Sequence, residues 1–191
     1  MKKGKKIILT TLLALLFIST TNAQEVYSKS KLGSISVVTK KGKTQGDVYL
    51  DLRSDGSLGL SMNKKEKKKF IDYLKKINIK FNEWTTVAKD NNVNEFKKDY
   101  DEAYFSGFFK LYSKWKFGRC RMISKFKIEG GKPTGYVFVP AIESSSNQFM
   151  KSKAWIFYVN DDLINELEVL LSDEAIDKFV KSKAVNTDLF N

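Results

Sequence analysis

Residues 63–90 read NKKEKKKFIDYLKKINIKFNEWTTVAKD, and this stretch decides the fold class. Asn63 followed three residues later by Glu66 is a capping box, in which each side chain satisfies a backbone N–H that the helix start leaves open. Phe70, Leu74, Ile77, Phe81, Trp84 and Ala88 then recur at spacings of four and three, the period of one helical face. The spacing predicts an amphipathic helix over Lys64–Asp90, about 40 Å long at 1.5 Å per residue, stopped by Asp90-Asn91-Asn92. A stripe of this kind is read as core. The lysine-rich run 64–69 is expected to form the solvated start, although lysines sit poorly against the positive end of a helix dipole. Residues 93–100 are expected to add a short helical turn.

Upstream of the helix the period changes to two. Residues 34–40 alternate around Ile35 and Val37, residues 47–53 carry Val48, Leu50 and Leu52 on one face, and residues 58–62 carry Leu58, Leu60 and Met62. A two-residue Asp55-Gly56 turn would set Leu52 opposite Gly59 and mix the faces. A three-residue loop, Ser54-Asp55-Gly56, pairs Leu52 with Leu58, Leu50 with Leu60 and Val48 with Met62. It also puts glycine where a left-handed conformation is needed, so register favours the longer loop.

Downstream, strands are predicted at about 104–117, 120–128, 135–142 and 154–159, with loops at 130–134 and 143–153. The last strand is apolar on both faces and is expected to lie centrally. Asn160 caps a helix carrying Leu163, Ile164, Leu167 and Leu170, and Ser172 caps another carrying Ile176, Phe179 and Val180. The fold class is α+β: antiparallel sheet packed with one long amphipathic helix and C-terminal helices. The two halves share an order of elements but no residue repeat.

The segment around Gly118 attracts a specific hypothesis. With Gly118-Arg119 as a two-residue type II′ loop, Phe117 faces Cys120, Trp115 faces Met122, Leu111 faces Phe126 and Phe109 faces Ile128. That register gathers Lys110, Tyr112, Lys114, Lys116, Arg121, Lys125 and Lys127 on one face, with Trp115 and Phe117 on the other. Lys116 then opposes Arg121 and Lys110 opposes Lys127, and like charges so placed weaken a sheet. A face of cations around a tyrosine suits a polyanion. A solvated face, relieved by acidic neighbours on adjoining strands, is the competing reading.

The start of the chain reads as an address. Lys2, Lys3, Lys5 and Lys6 precede an apolar run over 7–18 and a small polar segment ending at Ala23, the layout of a secretory signal peptide cleaved after Ala23. The expected organisation is a signal over 1–23 and one domain over 24–191, periplasmic or secreted in a bacterial envelope. The apolar run falls short of the ~20 residues of a spanning helix, so no transmembrane segment is expected after cleavage. Removing the four leader lysines from 34 basic residues leaves 30 against 22 acidic, a net charge of +8. That balance favours anionic partners. Lipopolysaccharide and acidic glycans fit this compartment, whereas nucleic acid does not.

The chain contains no histidine, which excludes Ser-His-Asp and Cys-His catalysis and histidine-bearing zinc sites. Cys120 is the only cysteine, so no intramolecular disulfide forms, and burial as a small hydrophobe is expected. No catalytic residue, metal ligand or cofactor motif is identified. Asp47, Asp51 and Asp55 share one side of a strand register, but residues four apart in a strand lie about 13 Å from each other. The carboxylates of glycoside hydrolases stand ~5–9.5 Å apart. A non-enzymatic binding or accessory protein is therefore expected. The alternatives are an envelope-glycan hydrolase using Asp and Glu, or a structural partner of another envelope protein.

Overall fold

The computed structural model describes residues 24–38, 47–53 and 55–188. The leader read over 1–23, the last two positions of the strand expected at 34–40, and Ser54 lie outside those residues. The long helix, α1 (Lys64–Asp90), has the predicted bounds. Both halves of the capping box form: Asn63 Oδ1 accepts from the Glu66 amide at 3.0 Å, and Glu66 Oε2 accepts from the Asn63 amide at 3.2 Å. The Asn91 amide bonds back to the Val87 carbonyl, and Asn92 turns into the left-handed region at φ 50°. Phe70, Leu74, Ile77, Phe81 and Ala88 are buried, with Trp84 packed at the core's margin.

The start of α1 is less solvated than its composition suggests. Lys67 is only 7 % exposed, because its Nζ reaches Asp173 Oδ1 at 2.7 Å on the last helix. Lys64 joins the same carboxylate at 2.6 Å. A buried ammonium is tolerated here because an anion meets it directly.

Eight strands form one antiparallel sheet in the order β1-β2-β3-β4-β5-β6-β7-β10. They are β1 (Gln24–Lys29), β2 (Ser34–Val38), β3 (Asp47–Asp51), β4 (Leu58–Met62), β5 (Phe96–Leu111), β6 (Lys114–Glu129), β7 (Lys132–Val139) and β10 (Trp155–Tyr158). A separate short hairpin holds β8 (Glu143–Ser144) and β9 (Asn147–Lys151). The chain adds strands edge by edge, with α1 inserted between β4 and β5. The β3–β4 register is the predicted one: Val48 pairs with Met62 and Leu50 with Leu60, and the Leu52 amide bonds the Leu58 carbonyl at 2.8 Å. Gly56 supplies the left-handed turn residue at φ 63°.

Four expectations need correction. Strand β1 was not anticipated; it pairs along β2. The helical turn expected at 93–100 is instead the beginning of β5, whose first residues pair with the far end of β6. The loop expected at 143–153 contains β8 and β9. Strand β10 is an edge strand, paired with β7 alone. Its second apolar face, Ile156 and Tyr158, stays exposed. The chain continues from it into helices, so no later strand among the described residues covers that edge.

The largest correction concerns the hairpin. Its turn is Tyr112-Ser113, with φ 48° and 62°, not Gly118-Arg119. Two successive positive φ values are the mark of a type I′ turn. Gly118 sits inside β6, opposite Gly107, and Phe105 opposes Cys120. This register sets Lys125 against Asp99 and brings Arg121 to Glu102, while Lys127, opposite Lys97, shares the Glu129 carboxylate with it.

Helix α2 (Asp161–Leu170) is capped by Asn160, whose Oδ1 accepts from the Leu163 amide at 2.9 Å. Helix α3 (Asp173–Asp188) is capped by Ser172, whose Oγ accepts from the Ala175 amide at 3.2 Å. Leu163, Ile164, Leu167 and Ile176 close the core against the sheet and α1. The architecture is α+β, as the residue pattern predicts.

Candidate functional site

Between Glu102 and Glu129 the chain carries no aspartate or glutamate, yet it carries seven lysines and arginines. This run forms most of the β5–β6 hairpin. Alternation along β6 divides its side chains into two sets. Cys120, Met122, Phe126 and Ile128 are buried toward the core, while Trp115, Phe117, Arg119, Arg121, Lys125 and Lys127 take the outward face. Lys114 and Lys116 share the parity of Cys120 but lie beyond the end of the core.

The seven residues expected on one face are therefore not together. Lys110 shares the outward face, its Nζ 5.6 Å from the centre of the Trp115 ring. Tyr112 occupies the turn and is 89 % exposed. Lys114 and Lys116 lie on the opposite side, and Arg121, Lys125 and Lys127 lie outward but far down the strand. The cause is the turn: moving it from Gly118-Arg119 to Tyr112-Ser113 changes the partner of every residue in the hairpin and transfers Lys114 and Lys116 from the first strand to the second, where their parity puts them on the other face.

Charge separates the base of the hairpin from its tip. At the base, Arg121 Nε donates to Glu102 Oε2 at 2.8 Å, and Tyr104 Oη donates to the other oxygen at 2.8 Å. The Tyr104 hydrogen bond first, and Arg121 second, hold the Glu102 carboxyl below its ordinary range. Lys125 reaches both oxygens of Asp99 at 2.7 and 2.9 Å, and Lys127 reaches Glu129 at 2.8 Å. Toward the tip, Lys110, Lys114, Lys116 and Arg119 have no carboxylate at ion-pair distance among the described residues. Arg119 instead lies 3.8 Å above the centre of the Tyr104 ring.

The same tip exposes aromatic surface. Trp115 is 45 % and Phe117 50 % exposed, beside the open Tyr112. Trp115 rests edge-on against Phe108 at 5.4 Å, and Phe108 against Tyr49 at 5.6 Å, so the outward aromatics stand on a packed base. Ser145, between β8 and β9, donates from both its amide and its Oγ to the Phe117 carbonyl at 2.9 and 3.1 Å. This strap braces the middle of the hairpin. Trp115, Phe117 and Arg119 were absent from the candidate residues, because their membership depends on where the turn falls. The missed signal is the acid-free run itself.

The acidic residues near the β3–β4 loop are closer together than a strand spacing implies. The Gly56 amide bonds the Arg53 carbonyl at 2.9 Å, which folds the chain back on itself. Burial first, and the neighbouring Asp55 second, push the Asp51 carboxyl up to about 6. Asp55 is held low, chiefly by Ser57, whose Oγ and amide donate to its Oδ1 at 2.6 and 3.0 Å. Its other oxygen meets Arg53 at 3.0 Å. Both oxygens of Asp55 are engaged in shaping the turn. Among the described residues, no group of three or more Cys, Asp or Glu converges as a metal ion would require. Nor is any helix among them long and apolar enough to cross a membrane. Comparisons with protein-family models, with curated proteins and with solved structures find no match for this chain.

Proposed function

We propose that the chain is an exported, non-enzymatic binding protein of a bacterial envelope that takes an anionic envelope component on the tip of the β5–β6 hairpin. The observation that carries this reading is the contrast along one hairpin. The β6 cations at the base, Arg121, Lys125 and Lys127, are matched by carboxylates, whereas among the described residues Lys110, Lys114, Lys116 and Arg119 are not. Cations with no carboxylate beside them attract anions by charge. Export rests on the lysine-apolar-small layout of residues 1–23.

Binding to immobilised heparin and to lipopolysaccharide at two salt concentrations tests the site. Lys114→Gln with Lys116→Gln weakens retention and flattens its salt dependence, by about one counterion-exchange contact for each lysine removed. Lys65→Gln with Lys89→Gln, on α1, leaves both unchanged. Equal losses from the two pairs mean diffuse attraction to a basic protein and sink the site. Intact mass of envelope-fraction protein tests export, with Gln24 as the expected first residue.

A second reading, docking of another envelope protein, draws on β10. Its exposed Ile156 and Tyr158 adjoin Tyr136 and Phe138 in a shallow groove of about 430 Å³ on an open sheet edge. An edge strand with apolar side chains is a template for strand addition. Loss of a co-purifying envelope protein on Ile156→Lys, with heparin retention unchanged, identifies this reading instead.

A further inference from the structure

We infer that the anionic component is a lipid surface, and that the hairpin tip docks into the headgroup layer of an anionic bilayer with Tyr112, Trp115 and Phe117 leading. This inference rests on the anionic-ligand reading of the same tip and specifies its ligand. Three observations converge on it.

The first is the distribution of charge. A linear polyanion lying along a sheet contacts one face. Here the unmatched cations stand on both sides of the hairpin, Lys110 and Arg119 outward and Lys114 and Lys116 opposite, with the turn between Leu111 and Lys114 projecting past them. An arrangement that presents positive charge on both faces suits a medium that surrounds the tip, as a layer of lipid headgroups does. Charge complementarity then acts from both sides.

The second is the kind of apolar surface. Tyr112 and Trp115 have an apolar ring body with one polar group, and such rings settle where hydrocarbon meets headgroup. Phe117 adds a purely apolar ring. Exposed at 89, 45 and 50 %, these three rings meet water between the turn and the strap, where a soluble polyanion has no use for all of them.

The third is rigidity. The left-handed turn at Tyr112-Ser113 is tight, Trp115 is wedged on Phe108, and Ser145 ties the Phe117 carbonyl to the strap. The Trp115 ring and the backbone that carries the other two are held in place before any contact, which limits the conformational freedom lost on docking. Each cation held near an anionic membrane surface strengthens partitioning by about five-fold, and the attraction is screened by salt.

The test uses the mature protein with two vesicle compositions, phosphatidylglycerol mixed with phosphatidylethanolamine, and phosphatidylcholine alone. Sedimentation measures binding, tryptophan emission measures burial of the indole, and heparin retention is measured on the same samples. Expected results are sedimentation with the anionic vesicles only, and a blue shift that disappears in Trp115→Phe. Lys114→Gln with Lys116→Gln weakens vesicle binding by roughly 25-fold. Tyr112→Asn, chosen because asparagine tolerates left-handed backbone, weakens vesicle binding while leaving heparin retention intact. Phe117→Ser does the same, and unfolding midpoints establish that each variant is folded.

Vesicle binding without a blue shift, and indifferent to Tyr112→Asn and Phe117→Ser, overturns docking of the rings. Heparin binding with no affinity for anionic vesicles overturns the lipid surface and leaves the anionic-ligand reading standing. No binding to heparin, lipopolysaccharide or anionic vesicles overturns both.

Discussion

Gly107 and Gly118 stand directly opposite each other across β5 and β6, and the backbone of Glu143 lies against the second of them. A Cβ at Gly118 would come within 1.9 Å of the Glu143 carbonyl oxygen, and one at Gly107 within 2.8 Å of Ile142 Cδ1. The pair is a gap in the hairpin through which the strap leading into β8 passes. Glycine serves close approach of backbone here, and turning is done elsewhere.

Gly118→Ala should therefore cost about 1–3 kcal/mol through overpacking, measured as a lower urea midpoint. It should also loosen the strap, visible as faster amide exchange at Ser145. A neutral result would place Gly118 in a solvent-facing turn and contradict the register.

Ser113→Gly tests the turn from the other side. Ser113 holds φ 62°, which costs a residue with a Cβ about 1–2 kcal/mol and glycine nothing. Thermal melts should show a gain of about 0.5–1 kcal/mol, after glycine's greater freedom in the unfolded chain is offset. Were residue 113 inside a strand, the same substitution would destabilise.

On α1, Phe81 is buried and its ring stacks on Phe126 with centroids 5.8 Å apart. Phe81→Ala should cost roughly 3–5 kcal/mol, from lost transfer energy and the cavity left behind. Lys68, paired with Asp72 on the exposed side at 2.9 Å, should change stability by less than about 0.5 kcal/mol on truncation to alanine. Urea melts of the two variants give the comparison directly.

Two carboxyls give pH effects of opposite sign. Asp51, raised to about 6 by burial, binds its proton more tightly in the folded chain than in the unfolded one, where it titrates near 4. Stability should fall as pH rises from about 4 to 6, so Asp51→Asn raises the urea midpoint at pH 7 and has little effect at pH 4. Asp173 is lowered by the hydrogen bonds of Lys64 and then Lys67, so its contribution is present above pH 4 and is lost as pH falls through its folded value. Asp173→Asn leaves the buried Lys67 ammonium without its anion and should cost about 1–3 kcal/mol at pH 7, less in acid. A common direction of change for the two variants at pH 7 would contradict these assignments.

Cys120 is fully buried, and burial pushes its thiol up to about 12. A thiol so placed is neither ionised nor accessible near neutrality. A colourless-to-yellow disulfide reagent at pH 8 should find no thiol in the folded protein and one per chain in denaturant. Rapid labelling of the folded chain would show that β6 opens at its centre.

How much of this was legible beforehand depended on whether a local rule had competition. The Lys64–Asp90 helix was legible to the residue, because Asn63, Glu66 and the stripe from Phe70 to Ala88 all favour the same element. The β3–β4 register was legible because only one pairing kept Leu50, Leu60, Val48 and Met62 on a single face. The β5–β6 hairpin offered no such discrimination. Aromatic and aliphatic residues occupy both parities from Tyr104 to Phe117, so two registers match apolar with apolar. Gly118-Arg119 resembles a turn, while Tyr112-Ser113 carries no turn signature. The candidate site inherited that ambiguity, which is why Trp115 and Arg119 joined it only with the true turn.

Sequence alone determined the α+β class, the extent and buried stripe of α1, the caps at Asn63, Asn160 and Ser172, and the exclusion of histidine chemistry. These are consequences of short-range geometry and composition, and each is settled within a few residues. Tertiary structure decided the hairpin register, the edge position of β10, the burial of Lys67 and the division of cations into a matched base and an unmatched tip. Each of these depends on what arrives from far along the chain: the strap at Ile142–Glu143 against Gly107 and Gly118, Asp173 beside Lys67, and Asp99 and Glu102 beside Lys125 and Arg121. A strand's local pattern says which residues are apolar, whereas its register is set by the total free energy of the partners it meets.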